Sequence, residues 1–196
     1  MFCFFEKYKT DVNSLLEQVT EVFFSNTVNM LINAYKNDKQ IFIIGNGGSA
    51  AIANHFSCDL GMNSFSYNNV RRFRFISLCA NSSTISAIAN DKSFTDIFRQ
   101  QLINLLNKDD VLFVISASGK SENLVNACVY AKEVGAKIIT MSGFSGGYIK
   151  EYADVSLCLD SESYGTIEDV HHIILHALTS YFKVNQQLFI DEVIQQ

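Results

Sequence analysis

Nine residues towards the end of the chain, Glu168-Asp-Val-His-His-Ile-Ile-Leu-His176, carry five titratable side chains, three of them from the chain's four histidines. At helical spacing Glu168, His172 and His176 fall on one i, i+4, i+8 stripe, with His171 beside it. The fourth histidine, His55, stands four residues before Asp59 and so shares a helix face with it. A lone histidine is most often a satisfied core or surface residue. Four of them in two short helical stretches, each with a carboxylate, point to chemistry. Imidazole and carboxylate together bind zinc or a similar divalent ion, or act as a proton-transfer pair. The spacing leaves both open.

Two loops offer a different chemistry. Ile41 to Ile44 is a short β-branched run, the mark of a buried strand, and it runs into Gly45-Asn46-Gly47-Gly48-Ser49 and then alanine-rich sequence. Strand, glycine turn and helix start, with Ser49 as the expected N-cap, aim free backbone N–H groups and a positive helix end at one spot. An anion fits there. The loop has no Lys-Ser/Thr pair for a Walker A motif and lacks the glycine spacing of a dinucleotide fingerprint. The second loop, Ser116-Ala117-Ser118-Gly119-Lys120-Ser121, follows the apolar run Val111 to Ile115. Its three hydroxyls and the helix start behind them form a neutral, donor-rich cradle for a phosphate dianion. A capped turn needs one serine, not three.

The elements that must position these residues follow from periodicity. Residues 5–39 repeat apolar positions at helical spacing, with a break expected at Ser25-Asn26-Thr27. A helical arm ahead of the first strand has no sheet of its own to cover and is expected to pack on another subunit. Strands are expected at 41–44, 75–78, 111–115, 137–140 and 155–159. Helices are expected from the glycine turn to about Asn63, at 82–89, 94–106, 122–134 and 145–152, and from Ile167 to Gln186 or beyond. Residues 64–70 read as a polar linker, and Arg71-Arg72-Phe73-Arg74 as a solvated strand entry. Alternating strands and helices imply right-handed crossovers and a doubly wound α/β fold, its parallel sheet covered on both faces. In such sheets ligands bind beyond the carboxyl ends of the strands, where both serine and glycine loops fall.

Composition narrows the partners. The 196 residues suit a single domain, 1–196, with 1–39 as its helical arm. A net charge of −5 argues against broad binding to nucleic acid or anionic membranes, and no apolar run reaches the roughly 20 residues needed to span a bilayer. The apolar start, Met1-Phe-Cys-Phe-Phe, is too brief for a signal peptide. Five scattered cysteines without a C-x-x-C pair fit idle thiols in a reducing cytoplasm.

Taken in order, Gly45-Asn-Gly-Gly-Ser49, His55-Phe56, Ala89-Asn-Asp91, Ile115-Ser-Ala-Ser-Gly-Lys-Ser121 and the Glu168 to His176 helix resemble the sugar isomerase (SIS) domain proteins, and among them the phosphoheptose isomerases, over residues 10–183. That resemblance implies a three-layer domain with a five-stranded parallel sheet and a homo-oligomer, tetramer before dimer, with sites at subunit boundaries. It implies conversion of sedoheptulose 7-phosphate to a heptose 7-phosphate, an aldose–ketose isomerisation that feeds surface polysaccharide. Ser116, Ala117, Ser118 and Ser121 would hold the phosphate with Ser49, while Asn46, Gly47, Gly48, Asn90, Asp91 and Glu168 would contact the sugar. Zinc would bind His55, Asp59, Glu168 and His176; Asp59 would be the base and His176 the acid of an enediol mechanism. The chain departs from the family pattern in four places. Asp59 stands for a glutamate, Glu168 for a glutamine and Gly165 for an aspartate, and Asn63 is nearest to an expected arginine. Such departures also suit a second reading, a non-catalytic SIS domain that binds phosphosugars or associates with the replication initiator as a regulator.

Overall fold

The structure is a computed structural model that describes residues 1–64 and 71–194, without the side chains of 188–194. Five parallel strands, β1 (Gln40–Ile44), β2 (Arg74–Ser77), β3 (Val111–Ser116), β4 (Lys137–Ser142) and β5 (Val155–Cys158), lie in the order β2-β1-β3-β4-β5. The chain steps outward from β1 to β2, then returns to β3 on the other side of β1, so its direction of winding reverses between β1 and β3. A crevice opens at the carboxyl end of such a reversal. Register pairs Ile41 with Val111 and Ile44 with Val114, which brings the turns after β1 and β3 side by side.

The sheet is apolar on both faces because helices cover both. Alternate residues of a strand point to opposite faces. Ile41, Ile43, Phe113 and Ile115 join one core with Phe23, Leu31, Phe56 and Phe182, from helices α2 (Glu21–Lys36), α3 (Gly47–Cys58) and α7 (Tyr164–Ile194). Phe42, Ile44, Leu112 and Val114 join the other with Leu102 and Leu124, from α5 (Arg99–Leu105) and α6 (Glu122–Val134). Phe113 is fully buried, and trimming such a ring to a methyl costs about 3–5 kcal/mol.

Several expectations are corrected. The break in the N-terminal helices falls at 17–20, between α1 (Phe2–Leu16) and α2, where Thr20 accepts a hydrogen bond from Phe23 N and caps α2. Ser25-Asn26-Thr27 lies inside α2, with Thr27 facing the core. Residues 1–39 therefore do have a sheet of their own to cover. Helix α2 covers its own sheet, burying Phe23, Val28, Leu31, Ala34 and Tyr35, and only α1 lies outside that layer. Ser49 is not the N-cap of α3: the helix starts at Gly47, with Asn46 in the extended cap conformation. After Cys58 the α-helix gives way to a π-helical turn, Asp59–Asn63. The expected helix at 94–106 divides into a 3-10 turn, Phe94–Asp96, and α5. That at 145–152 shrinks to the 3-10 turn Ile149–Tyr152. The helix at 82–89 runs on as α4 (Ser82–Asp91), and α7 begins at Tyr164, not Ile167. Of the expected linker, residues 65–70 lie outside the described residues. All five cysteines are free thiols, and no helix among the described residues is long and apolar enough to cross a membrane.

Candidate active site

The serine loop sits at the tip of β3, the most buried strand of the sheet. Ser116 Oγ accepts from Gly119 N at 3.0 Å, so that hydroxyl shapes the turn as well as facing it. Ser118 Oγ accepts from Lys120 N at 3.4 Å, and Ser121 takes the extended N-cap position of α6 without committing its hydroxyl to the helix. Gly119 has φ of 66°, and a Cβ there would run into the carbonyl of Gly146; its own carbonyl accepts from Tyr148 N and Ile149 N. Only glycine meets both demands. The turn is thus held from behind by a second loop, which leaves the α6 N-terminus and its hydroxyls for a ligand.

The glycine turn after β1 is tied to this loop by one reciprocal contact. Asn46 and Asn123 exchange both amide hydrogen bonds at 2.9 Å, linking the start of α3 to the first turn of α6. Ser49 is buried just behind, packed so closely that a Cβ on Gly45 would lie 2.8 Å from its backbone. The two loops expected to share an anion do sit together.

The histidines converge from opposite ends of the sequence. His55 on α3 and His172 on α7 bring Nδ1 and Nε2 to 2.7 Å, and the rings of His55, His172 and His176 cluster with centroids 4.6–5.1 Å apart. Asp59 lies at the junction of α3 and the π-helical turn, the kind of local rewinding that recurs at functional sites. One of its oxygens, Oδ2, is 3.4 Å from His55 Nε2 and 3.5 Å from His176 Nε2; the other takes a hydrogen bond of 3.4 Å from Asn63, the residue found where an arginine was expected. Partial burial and the two neighbouring imidazoles push the His172 ring below its ordinary pKa, against the pull of Asp59 and Asp169.

Glu168 is elsewhere. Its carboxylate lies against Gly48, where any Cβ would collide with it, one helical turn before His172. Partial desolvation and the adjacent Asp169 raise its pKa, favouring the protonated acid. Glu168 thus sets α7 against the glycine turn, one helical turn before the cluster begins. Asp169 accepts from Tyr8 OH at 2.7 Å, fastening α1 to α7. That bond, burial and the nearby carboxylates raise the phenol to about 12. A cavity of about 390 Å³ runs along this seam, lined by Phe5, Tyr8, Asp169, His172 and His176. A larger hollow of about 580 Å³ lies at the opposite edge of the sheet, between α2 and the strand starts, away from every candidate residue.

Asn90 and Asp91 are not drawn in. They end the exposed helix α4 and hydrogen-bond each other, and no bond ties them to the cluster among the described residues. The sequence alone leaves His172 as a competitor of Glu168 for the metal, its role open, and gives no sign of Asn123 and Tyr8, whose partners lie 77 and 161 residues away.

Serine and glycine turns joined at the carboxyl edge of a parallel sheet, with an imidazole and carboxylate cluster between α3 and α7, mark an α/β domain of the kind that takes its ligand at that edge. The chain belongs to the SIS domain family, whose model matches residues 7–143. It is 35% identical over 175 residues to the phosphoheptose isomerase of Helicobacter pylori (strain P12), covering 89% of each chain. Against the phosphoheptose isomerase of a Nitratiruptor species identity is 40% over 149 residues, 76% of this chain and 79% of the other. The solved phosphoheptose isomerase from Francisella tularensis superposes with a TM-score of 0.82 at 28% identity, over 92% of this chain and 94% of that one.

Proposed function

We propose that the chain is a phosphosugar aldose–ketose isomerase that converts sedoheptulose 7-phosphate to a heptose 7-phosphate through an enediol. The observation that carries this reading is the position of Glu168 over Gly48. Glu168 brings the helix that bears His172 and His176 up to the glycine turn, which supports reading the anion cradle and the proton-transfer cluster as one site. Ser116, Ser118 and Ser121 grip the phosphate through hydroxyls and the α6 N-terminus, with Ser49 behind them. Asn46, Gly47, Gly48 and Ala117 shape the wall that the sugar chain passes.

Chemistry then needs a base beside the reacting carbon and a proton for the carbonyl oxygen. Asp59 is the base, since its Oδ2 stands between two imidazoles and its side chain is only 19% exposed. It removes the carbon-bound proton next to the carbonyl. His176 protonates the carbonyl oxygen to give the enediol; a proton returned to the neighbouring carbon, with loss of one from the first hydroxyl, completes the aldose. The nitrogen-rich cluster also fits a divalent ion, zinc by its donor chemistry. When bound, that ion would polarise the carbonyl oxygen in place of the His176 proton.

The protein acts as a homo-oligomer in this reading, a tetramer before a dimer. Phe5 on α1 lines the cavity at the cluster and is exposed along with Phe2 and Phe4, where a second copy would cover them and close the site; Asn90 and Asp91 would then reach a neighbour's sugar. Purified protein given sedoheptulose 7-phosphate and zinc should form the aldose, and Asp59→Asn and His176→Ala should each cut turnover by about 10²- to 10⁴-fold. Tight sugar-phosphate binding with no turnover in the unaltered chain would reject the enzyme in favour of a binding regulator.

A further inference from the structure

The position of Glu168 raises a question about the metal. In α7 it lies past the first turn and eight residues from His176, a rise of about 12 Å along the axis. Its carboxylate lies against Gly48. His172 stands between them, one turn from each, on the face that meets α3. Two histidines four apart on a helix are a recurrent pair of zinc ligands. Ring nitrogens of His55, His172 and His176 lie within 4.8 Å of one another, a group that includes neither carboxylate.

We propose that in this chain the divalent ion is held by three imidazoles, His55, His172 and His176, with His172 replacing Glu168 as protein ligand; the assignment rests on the isomerase reading above. Donors around a tetrahedral zinc with bonds of about 2.0–2.1 Å lie roughly 3.3 Å apart. The 2.7 Å between His55 Nδ1 and His172 Nε2 opens to that value by small rotations of two partly exposed rings. With Nδ1 of His55 turned to the ion, its Nε2 faces Asp59 Oδ2 at 3.4 Å. A carboxylate on the second ring nitrogen is the usual means of fixing the tautomer of a ligating histidine. Three neutral nitrogen donors leave a fourth position open, the form of a catalytic site and not of a closed structural one. They also leave Asp59 and Glu168 off the ion and available to move protons. A shorter aspartate at position 59 needs no reach to the metal in this arrangement, because its Oδ2 already meets the His55 ring.

The test compares zinc affinity, by competition with a chromophoric chelator, and the visible absorption of the cobalt(II)-loaded protein. Variants are His55→Ala, His172→Ala, His172→Gln, His176→Ala and Glu168→Gln, each first shown by circular dichroism to fold without metal. Loss of a partner that merely orients a ligand costs 10- to 100-fold in affinity, so loss of a ligand should cost about 100-fold or more. Both His172 variants should weaken zinc about as much as His176→Ala and dim the cobalt band, while Glu168→Gln stays within about threefold. The opposite pattern, Glu168→Gln as damaging as His176→Ala and both His172 variants close to the unaltered protein, overturns the assignment. If no histidine variant weakens binding, the ion does not sit here and the assignment falls with it. Affinity is read without substrate, so absence of turnover in zinc-loaded protein would count against the isomerase reading alone.

Discussion

The two halves of the site are built in opposite ways. The serine loop is a feature of the backbone: Gly119, the Gly146 carbonyl behind it and the N-terminus of α6 define its shape, and its residues are neighbours in sequence. The imidazole cluster is a feature of side chains, carried by two helices 117 residues apart and half open to solvent. A cradle made of main chain recognises a dianion but has nothing to titrate. A cluster of rings and carboxylates can titrate, yet depends on two long helices meeting at the right height. Binding and chemistry should therefore separate under mutation.

The strongest effect is expected on the cluster side. Asp59→Asn keeps the shape and removes the base, so kcat should fall by about 10²- to 10⁴-fold with KM little changed, read from steady-state rates on sedoheptulose 7-phosphate. Next comes Gly119→Ala, which forces both a left-handed φ and a collision with main chain. It should lower stability by about 1–3 kcal/mol in urea melts and abolish phosphate binding with it. Ser118→Ala sharpens the contrast further. Losing one hydroxyl to a charged group costs about 1.5 kcal/mol, so KM should rise roughly tenfold while kcat holds. A fall in kcat at constant KM for Ser118→Ala would break the division of labour.

The smallest effect concerns His171, which shares the helix turn with His172 but points the other way. It is fully buried, and neither ring nitrogen has a hydrogen-bond partner; the Ser142 backbone approaches without meeting bonding geometry. Burial lowers its pKa to about 4. Its unfolded pKa is near 6.5, so between those values the unfolded chain takes up a proton that the folded one refuses. Stability is then complete above about pH 6.5 and declines as the pH falls towards 4. His171→Leu should flatten that limb of a Tm-against-pH curve while leaving zinc affinity unchanged.

The same contrast explains what can be read in advance. The strands are legible because each is a continuous apolar run, and the serine cradle because its signal is local. The α/β order and the edge on which ligands bind follow from alternation alone. The break between the first two helices is misplaced because Thr20 caps where Ser25-Asn26-Thr27 also carries capping side chains; tertiary packing decides between them. The need for α2 on the sheet is invisible until the layers are assembled. Histidine spacing shows that a cluster exists, but not that Glu168 turns to Gly48 and leaves His172 facing His55. That outcome depends on how α3 and α7 cross.

One contact has an evolutionary corollary. Asn46 and Asn123 each satisfy the other's carboxamide through a donor and an acceptor, so replacing either alone strands both at the wall of the crevice. The two positions should drift as a couple or not at all. A homologue that has retuned this pocket for another sugar would carry paired changes there, 77 residues apart on the chain yet inherited as if they were one site.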